Sequence, residues 1–130
     1  MKIPYPQLEN EGITNQKVLE ALRGLPRELF IDPQLSPSAY VNAPLPIDCG
    51  QTISQPFIVA YMSEKLELKE SDKVLEIGTG SGFQTAVLAQ LVQKVYTVEI
   101  RPKLSLRAQQ VLKKLGFQNV EYKVGDGKLG

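Results

Sequence analysis

Val74-Leu75-Glu76-Ile77-Gly78-Thr79-Gly80-Ser81-Gly82 is the stretch on which the reading of this chain turns. An apolar run of strand length ends on three glycines at alternate positions, and an apolar, helix-forming segment from Thr85 to Leu91 follows. That is the hand-over from a buried strand to a helix. Further along, Val95, Tyr96 and Val98 read as the next strand. Pro102 opens a helix in which Leu104, Ala108, Val111, Leu112 and Leu115 recur at helical spacing, and Gly116 closes it. Val120, Tyr122 and Val124 alternate as a third strand. Strand, helix, strand, helix, strand predicts a parallel sheet with right-handed crossovers, which is half of a doubly wound α/β fold.

Before the glycine stretch the grammar changes. Pro4, Pro6, Pro26, Pro33, Pro37, Pro44, Pro46 and Pro56 crowd the first part, whereas Pro102 alone follows it. Prolines at that density make short helices and extended arms. The chain therefore divides into residues 1–70, a helical and proline-rich segment, and residues 71–130, the first half of the sheet domain. Val18, Leu19 and Leu22 share a helical face stopped by Gly24 and Pro26. Residues 43–54 read as a loop or irregular arm, and Phe57, Ile58, Ala60, Tyr61 and Leu66 have helical spacing.

Composition narrows the chemistry. The chain has 130 residues, 15 basic against 14 acidic, no histidine and one cysteine, Cys49. The near-neutral charge argues against a nucleic-acid binder, which needs a basic excess to displace counterions. One thiol and no histidine exclude a zinc site, an intramolecular disulfide and histidine general-base catalysis. No apolar run has signal-peptide or membrane-spanning length, so a cytoplasmic protein with no membrane partner is expected. The chemistry falls to hydroxyls, carboxylates, backbone amides and a borrowed cofactor.

The glycine loop has the pattern E-x-G-x-G-x-G. A dinucleotide fingerprint would need glycine where Phe83 stands. A strand-to-helix glycine loop offers close backbone approach and helix N-terminal amides. Glu76 beside it is expected to repel phosphates and attract an ammonium group, which favours a nucleoside with an amino-acid tail. Glu99 ends the second strand, at the distance from the loop that suits a ribose-binding acid. Asp126, within Gly125-Asp126-Gly127, ends the third and is placed to accept from an adenine amino group. A tight turn, a solvated carboxylate and a turn aspartate explain each feature alone; all three at successive strand ends favour a nucleoside pocket.

Gly50-Gln51-Thr52-Ile53-Ser54-Gln55-Pro56 is the other unusual stretch. By residue chemistry alone, Ser54 is first a cap for the helix whose first turn holds Pro56, and second a catalytic group. Together with Ala43-Pro44-Leu45-Pro46-Ile47, Val74 to Gly82 and Gly125-Asp126-Gly127, this block resembles the protein-L-isoaspartate (D-aspartate) O-methyltransferase family, with the motifs in order across nearly the whole chain.

The resemblance implies an α/β, Rossmann-like S-adenosylmethionine-dependent methyltransferase fold with an N-terminal helical and loop extension. It implies methyl transfer from S-adenosyl-L-methionine, leaving S-adenosyl-L-homocysteine, to the free carboxylate of L-isoaspartyl and D-aspartyl residues in damaged proteins or peptides. By family match, Ser54 is the active-site residue, and Thr52, Ile53 and Ser54 form a loop that lines the cofactor. Glu76, Gly78, Thr79, Gly80, Ser81 and Gly82 form the cofactor loop, Glu99 is the ribose acid, and Asp126 with Gly127 lies on the adenine side. No metal is implied. Family members continue through four more strands, so the C-terminal half of the sheet is missing here. The bare edge of Lys73 to Ile77 is expected to recruit other strands. A methyltransferase for another acceptor, or a non-catalytic binding module, are the competing readings.

Overall fold

The computed structural model describes residues 5–126, and the masked ends include Gly127, which lies outside the described residues. The parallel sheet expected from the apolar runs is present. It consists of β3 (Lys73–Ile77), β4 (Lys94–Glu99) and β5 (Val120–Val124) in the order β3-β4-β5, with Val74, Val95 and Val120 in register. The connecting helices are α3 (Phe83–Leu91) and α4 (Pro102–Lys114). Both crossovers step the same way across the sheet, so their common handedness puts both helices on one face. Val95 is buried beneath them with Leu88 and Val92, and Val74 and Val120 pack alongside.

The other face is open. Leu75 and Ile77 are 55% and 58% exposed, and Tyr96 lies beside Leu75 in the register. Among the described residues β3 pairs with β4 alone, which leaves its outer edge without a ladder.

Two helix ends show how local sequence sets the boundaries. Asn15 caps α1 (Gln16–Arg23), its side-chain oxygen accepting from the amides of Lys17 and Val18. At the end of α4, Gly116 takes a positive φ. Its N–H reaches the Lys113 carbonyl while that of Phe117 reaches Leu112, a Schellman stop.

The N-terminal segment lies against the helix side of the sheet domain. The helix α1 packs on α3 and on α2 (Pro56–Lys65), and Gln90 of α3 donates to the Ala21 carbonyl at 3.0 Å. Leu19, Phe30, Ile31 and Val59 share one apolar cluster with Phe83, Val87 and Leu112. The boundary near residue 70 thus marks a change of local grammar with no gap in packing.

Three local expectations are corrected. Residues 43–54 contain a small antiparallel pair, β1 (Leu45–Pro46) with β2 (Thr52–Ile53), turned at Cys49 and Gly50 in left-handed conformation. Two-residue strands containing a proline carry no alternation, so the pattern was invisible. The buried stripe of α2 is Pro56, Val59, Ala60 and Ser63, while Ile58, Tyr61 and Leu66 face outward. Ser54 is not the cap: with Pro56 as the first helical residue, the cap position falls to Gln55, whose side chain makes no cap bond, and the Phe57 amide donates instead to Asn42 Oδ1 at 2.9 Å.

Candidate functional site

The strand ends bring three of the sequence motifs together. The glycine loop is tied to β4 by its own amides, those of Gly78 and Thr79 donating to the Val98 carbonyl at 2.7 and 3.3 Å. The Gly125 amide donates to the Glu99 carbonyl at 2.9 Å, which places Asp126 just beyond the same edge, with its residue exposed. Loop, acid and Gly125-Asp126 therefore stand side by side where ligands of open α/β sheets bind.

Glu99 is 6% exposed, and both its oxygens are engaged. Oε1 accepts from the Gly80 amide at 2.8 Å, and Oε2 from the Arg101 amide at 3.1 Å. A carboxylate has about four acceptor positions, so two remain for a pair of hydroxyls, and the two amides fix the direction in which they face. This pair of acceptor positions fits a ribose diol.

The glycine loop is less open than its sequence suggests. Besides the amides already named, that of Gly82 donates to the Thr79 carbonyl and that of Phe83 to the Ser81 hydroxyl. The expected row of free amides is largely consumed, partly in tying the loop to β4 and partly in folding it onto itself. The glycines also divide by purpose. A Cβ at Gly78 or Gly80 would meet nothing within 4 Å, whereas one at Gly82 would sit 2.9 Å from Leu112 Cδ1 and 3.0 Å from Ala108 Cβ. Gly82 lets α4 approach the loop; Gly78 and Gly80 keep the backbone open on the other side.

Glu76 is tied through one of its oxygens to the neighbouring elements. Strand alternation turns it to the helix side, where Oε1 accepts from the hydroxyls of Thr85, in α3, and Thr97, in β4, the latter at 2.7 Å. Because Thr97 spends its proton on Glu76, the 2.6 Å contact between Thr79 and Thr97 is donated by Thr79. A polar thread thus runs from the glycine loop to Glu76. Burial pushes the Glu76 carboxyl above the ordinary glutamate range; the two threonine bonds oppose this and the charge of Glu99 adds to it.

The remaining site residues lie on the β2–α2 loop. Thr52 and Ser54 are exposed, while the Ile53 side chain is 2% exposed within the core, leaving only its backbone to face a ligand. The Ser54 carbonyl accepts from Arg27, and three residues after Arg27 the Phe30 ring meets Phe83 edge-on at 5.3 Å, next to the glycine loop. The sequence reading missed Arg27, Thr85 and Thr97. Thr97 left a signal, a polar residue on the buried alternation of a strand; Arg27 left none.

Comparison with known proteins agrees with this fold. The profile of the protein-L-isoaspartate(D-aspartate) O-methyltransferase family matches residues 5–130. The protein-L-isoaspartate O-methyltransferase of Dictyoglomus turgidum is 55% identical over 123 residues, 95% of this chain and 56% of that protein. A solved protein-L-isoaspartate O-methyltransferase superposes with a TM-score of 0.81 at 29% identity, covering 92% of this chain and 40% of the other. A Plasmodium falciparum structure of the same kind, in complex with S-adenosyl-L-homocysteine, superposes with a TM-score of 0.75 at 23% identity, covering 94% and 62%, and shows the fold alone. The chain spans about half the length of the curated relatives it matches.

Proposed function

The chain belongs to the protein-L-isoaspartate(D-aspartate) O-methyltransferase family, and from that premise we propose that it carries the cofactor-binding part of an enzyme that methylates L-isoaspartyl and D-aspartyl carboxylates in damaged proteins. The observation that carries the reading is Glu99, held by the amides of Gly80 and Arg101 at the sheet edge shared with the glycine loop and Asp126. In this reading Glu99 binds the ribose hydroxyls of S-adenosyl-L-methionine, Gly78, Gly80 and Ser81 admit its amino-acid tail, and Asp126 faces the adenine. When bound, that cofactor supplies an electrophilic methyl group on a sulfonium.

The acceptor carboxylate has a reference pKa near ~4, so it is ionised at neutral pH and needs no general base. A chain without histidine is suited to this reaction. The work left to the protein is alignment, which supplies on the order of 7–11 kcal/mol at best. This reading places the exposed residues Ser54 and Thr52 between cofactor and acceptor, lining the cofactor together with Ile53 and orienting the carboxylate without protonating it. Damaged proteins in the cytoplasm are the substrates it implies, with neither nucleic acid nor membrane as partner.

A second reading is a non-catalytic cofactor-binding module. Titration calorimetry with S-adenosyl-L-homocysteine, beside a methyl-acceptor assay on an isoaspartyl peptide, separates the two. Binding with turnover supports the first and binding alone the second. A chain that binds no S-adenosyl-L-homocysteine, or whose Glu99→Ala variant binds it as well as the parent does, refutes the ribose assignment.

A further inference from the structure

Arg27 is fully buried, yet its partners are unusual for a buried cation. Nη1 donates to the carbonyls of Ala39 and Val41 at 2.8 and 3.1 Å, and Nη2 to those of Ala43 and Ser54 at 2.9 and 3.1 Å. Nε is buried with no hydrogen-bond partner among the described residues. A buried charge is costly unless matched, and carboxylates are its ordinary match. Here the match is four backbone carbonyls.

The acceptors define what the guanidinium does. Three come at alternate positions of residues 39–43, a stretch of turns with little ladder of its own. The fourth is Ser54, on the far side of the β1–β2 hairpin. The planar fork offers two donor pairs in fixed directions, so the arm and the Ser54 backbone are set relative to one another. The same short helix, Arg27–Phe30, anchors to the glycine-loop side through Phe30 and Phe83. An unbroken path of close contacts therefore joins the two halves of the site.

The geometry points to Arg27 as a positioning residue, which fixes the Ser54 loop relative to the glycine loop by binding the Ser54 carbonyl with the guanidinium that gathers residues 39–43. This role rests on the cofactor reading above. A lysine cannot substitute: its ammonium has three radial donors for four carbonyls arranged in two pairs.

The test uses the full chain and two variants, Arg27→Lys, which keeps the charge, and Arg27→Gln, which removes it. Hydrogen exchange is read at the Ala43 and Ile47 amides, bonded to the Val41 and Gln51 carbonyls, with the Val95 amide, bonded to Asn119, as reference in the sheet. Arg27→Lys is expected to speed exchange at Ala43 and Ile47 about tenfold or more, through loss of charge-assisted bonds, and to leave Val95 unchanged. Affinity for S-adenosyl-L-homocysteine should fall with it. Parallel acceleration at all three amides would make Arg27 a general core staple and overturn the role, as would no change. Loosening of the hairpin with unchanged affinity would equally overturn it.

Should both variants fail to fold, the unsubstituted chain still decides. Coupling is reciprocal, so saturating S-adenosyl-L-homocysteine must slow exchange at Ala43 and Ile47 beyond any effect at Val95. Binding without such slowing refutes the positioning role and leaves the cofactor reading standing. No binding by the parent refutes the cofactor reading and, with it, the role.

Discussion

Replacing Thr97 with valine tests the polar thread beneath the glycine loop. Valine has the same shape, so no cavity opens, and the residue is buried. What disappears is one hydroxyl with two bonds, 2.7 Å to Glu76 and 2.6 Å to Thr79. A bond to an ionised group contributes roughly 1.5–3 kcal/mol, and a buried hydroxyl left without an acceptor costs roughly 1–3 kcal/mol. Thr79 is itself buried and would become such a group, while Glu76 keeps Thr85. The expected loss is about 3 kcal/mol, a large part of the ~5–15 kcal/mol by which domains are stable. With a urea m-value of roughly 1.5 kcal/mol/M, the midpoint should fall by about 2 M, read by far-ultraviolet circular dichroism because the chain lacks tryptophan. Thr97→Ser should recover most of it. A midpoint within ~0.5 M of the parent, below about 1 kcal/mol, would mean that the thread contributes nothing and that Glu76 is free for another role.

Glu76→Gln should change the pH dependence of stability. Because burial raises the Glu76 pKa in the folded state, the folded chain keeps a proton that the unfolded chain releases above about pH 4.3. The parent must therefore lose stability as pH rises from there, a slope the glutamine variant lacks; identical slopes in thermal melts from pH 4 to 8 would refute this. Gly82→Ala meets both Leu112 and Ala108 and strains a left-handed backbone. A loss of about 2 kcal/mol by chemical denaturation is expected, and a neutral effect would show that α4 yields at that point. The chain should self-associate at micromolar concentration through the open β3 edge and its apolar face, as seen by light scattering. Ile77→Lys should suppress this, and a parent that stays monodisperse refutes it.

The parallel sheet was readable because strand and helix periods differ and most of its elements end near a glycine or proline. That Glu99 and the glycine loop stand at one edge was readable for the same reason, since topology alone delivers successive strand ends there. The bonds of Glu76 to Thr85 and Thr97 were not readable, because they are set by strand register and by the first turn of α3. Arg27 was unreadable: its four acceptors are carbonyls, which every residue has, 12 to 27 positions away. Ser54 was taken for a cap by a one-residue error, the distance between a serine and the residue that directly precedes a helical proline.

The shared apolar cluster also sets a schedule. Leu19, Phe30 and Ile31 are buried against Phe83, Val87 and Leu112, which the ribosome makes much later. At about 5–20 residues per second, the roughly fifty residues between Ile31 and Phe83 take some 3–10 s to synthesise. For that interval the nascent N-terminal segment carries a large unsatisfied apolar surface and waits for its partner, a natural target for chaperones that bind emerging chains. Folding force on a stalled ribosome should therefore appear only once α4 has cleared the exit tunnel; force already developed with Leu66 as the last emerged residue would show that the first helices can close a core without the sheet.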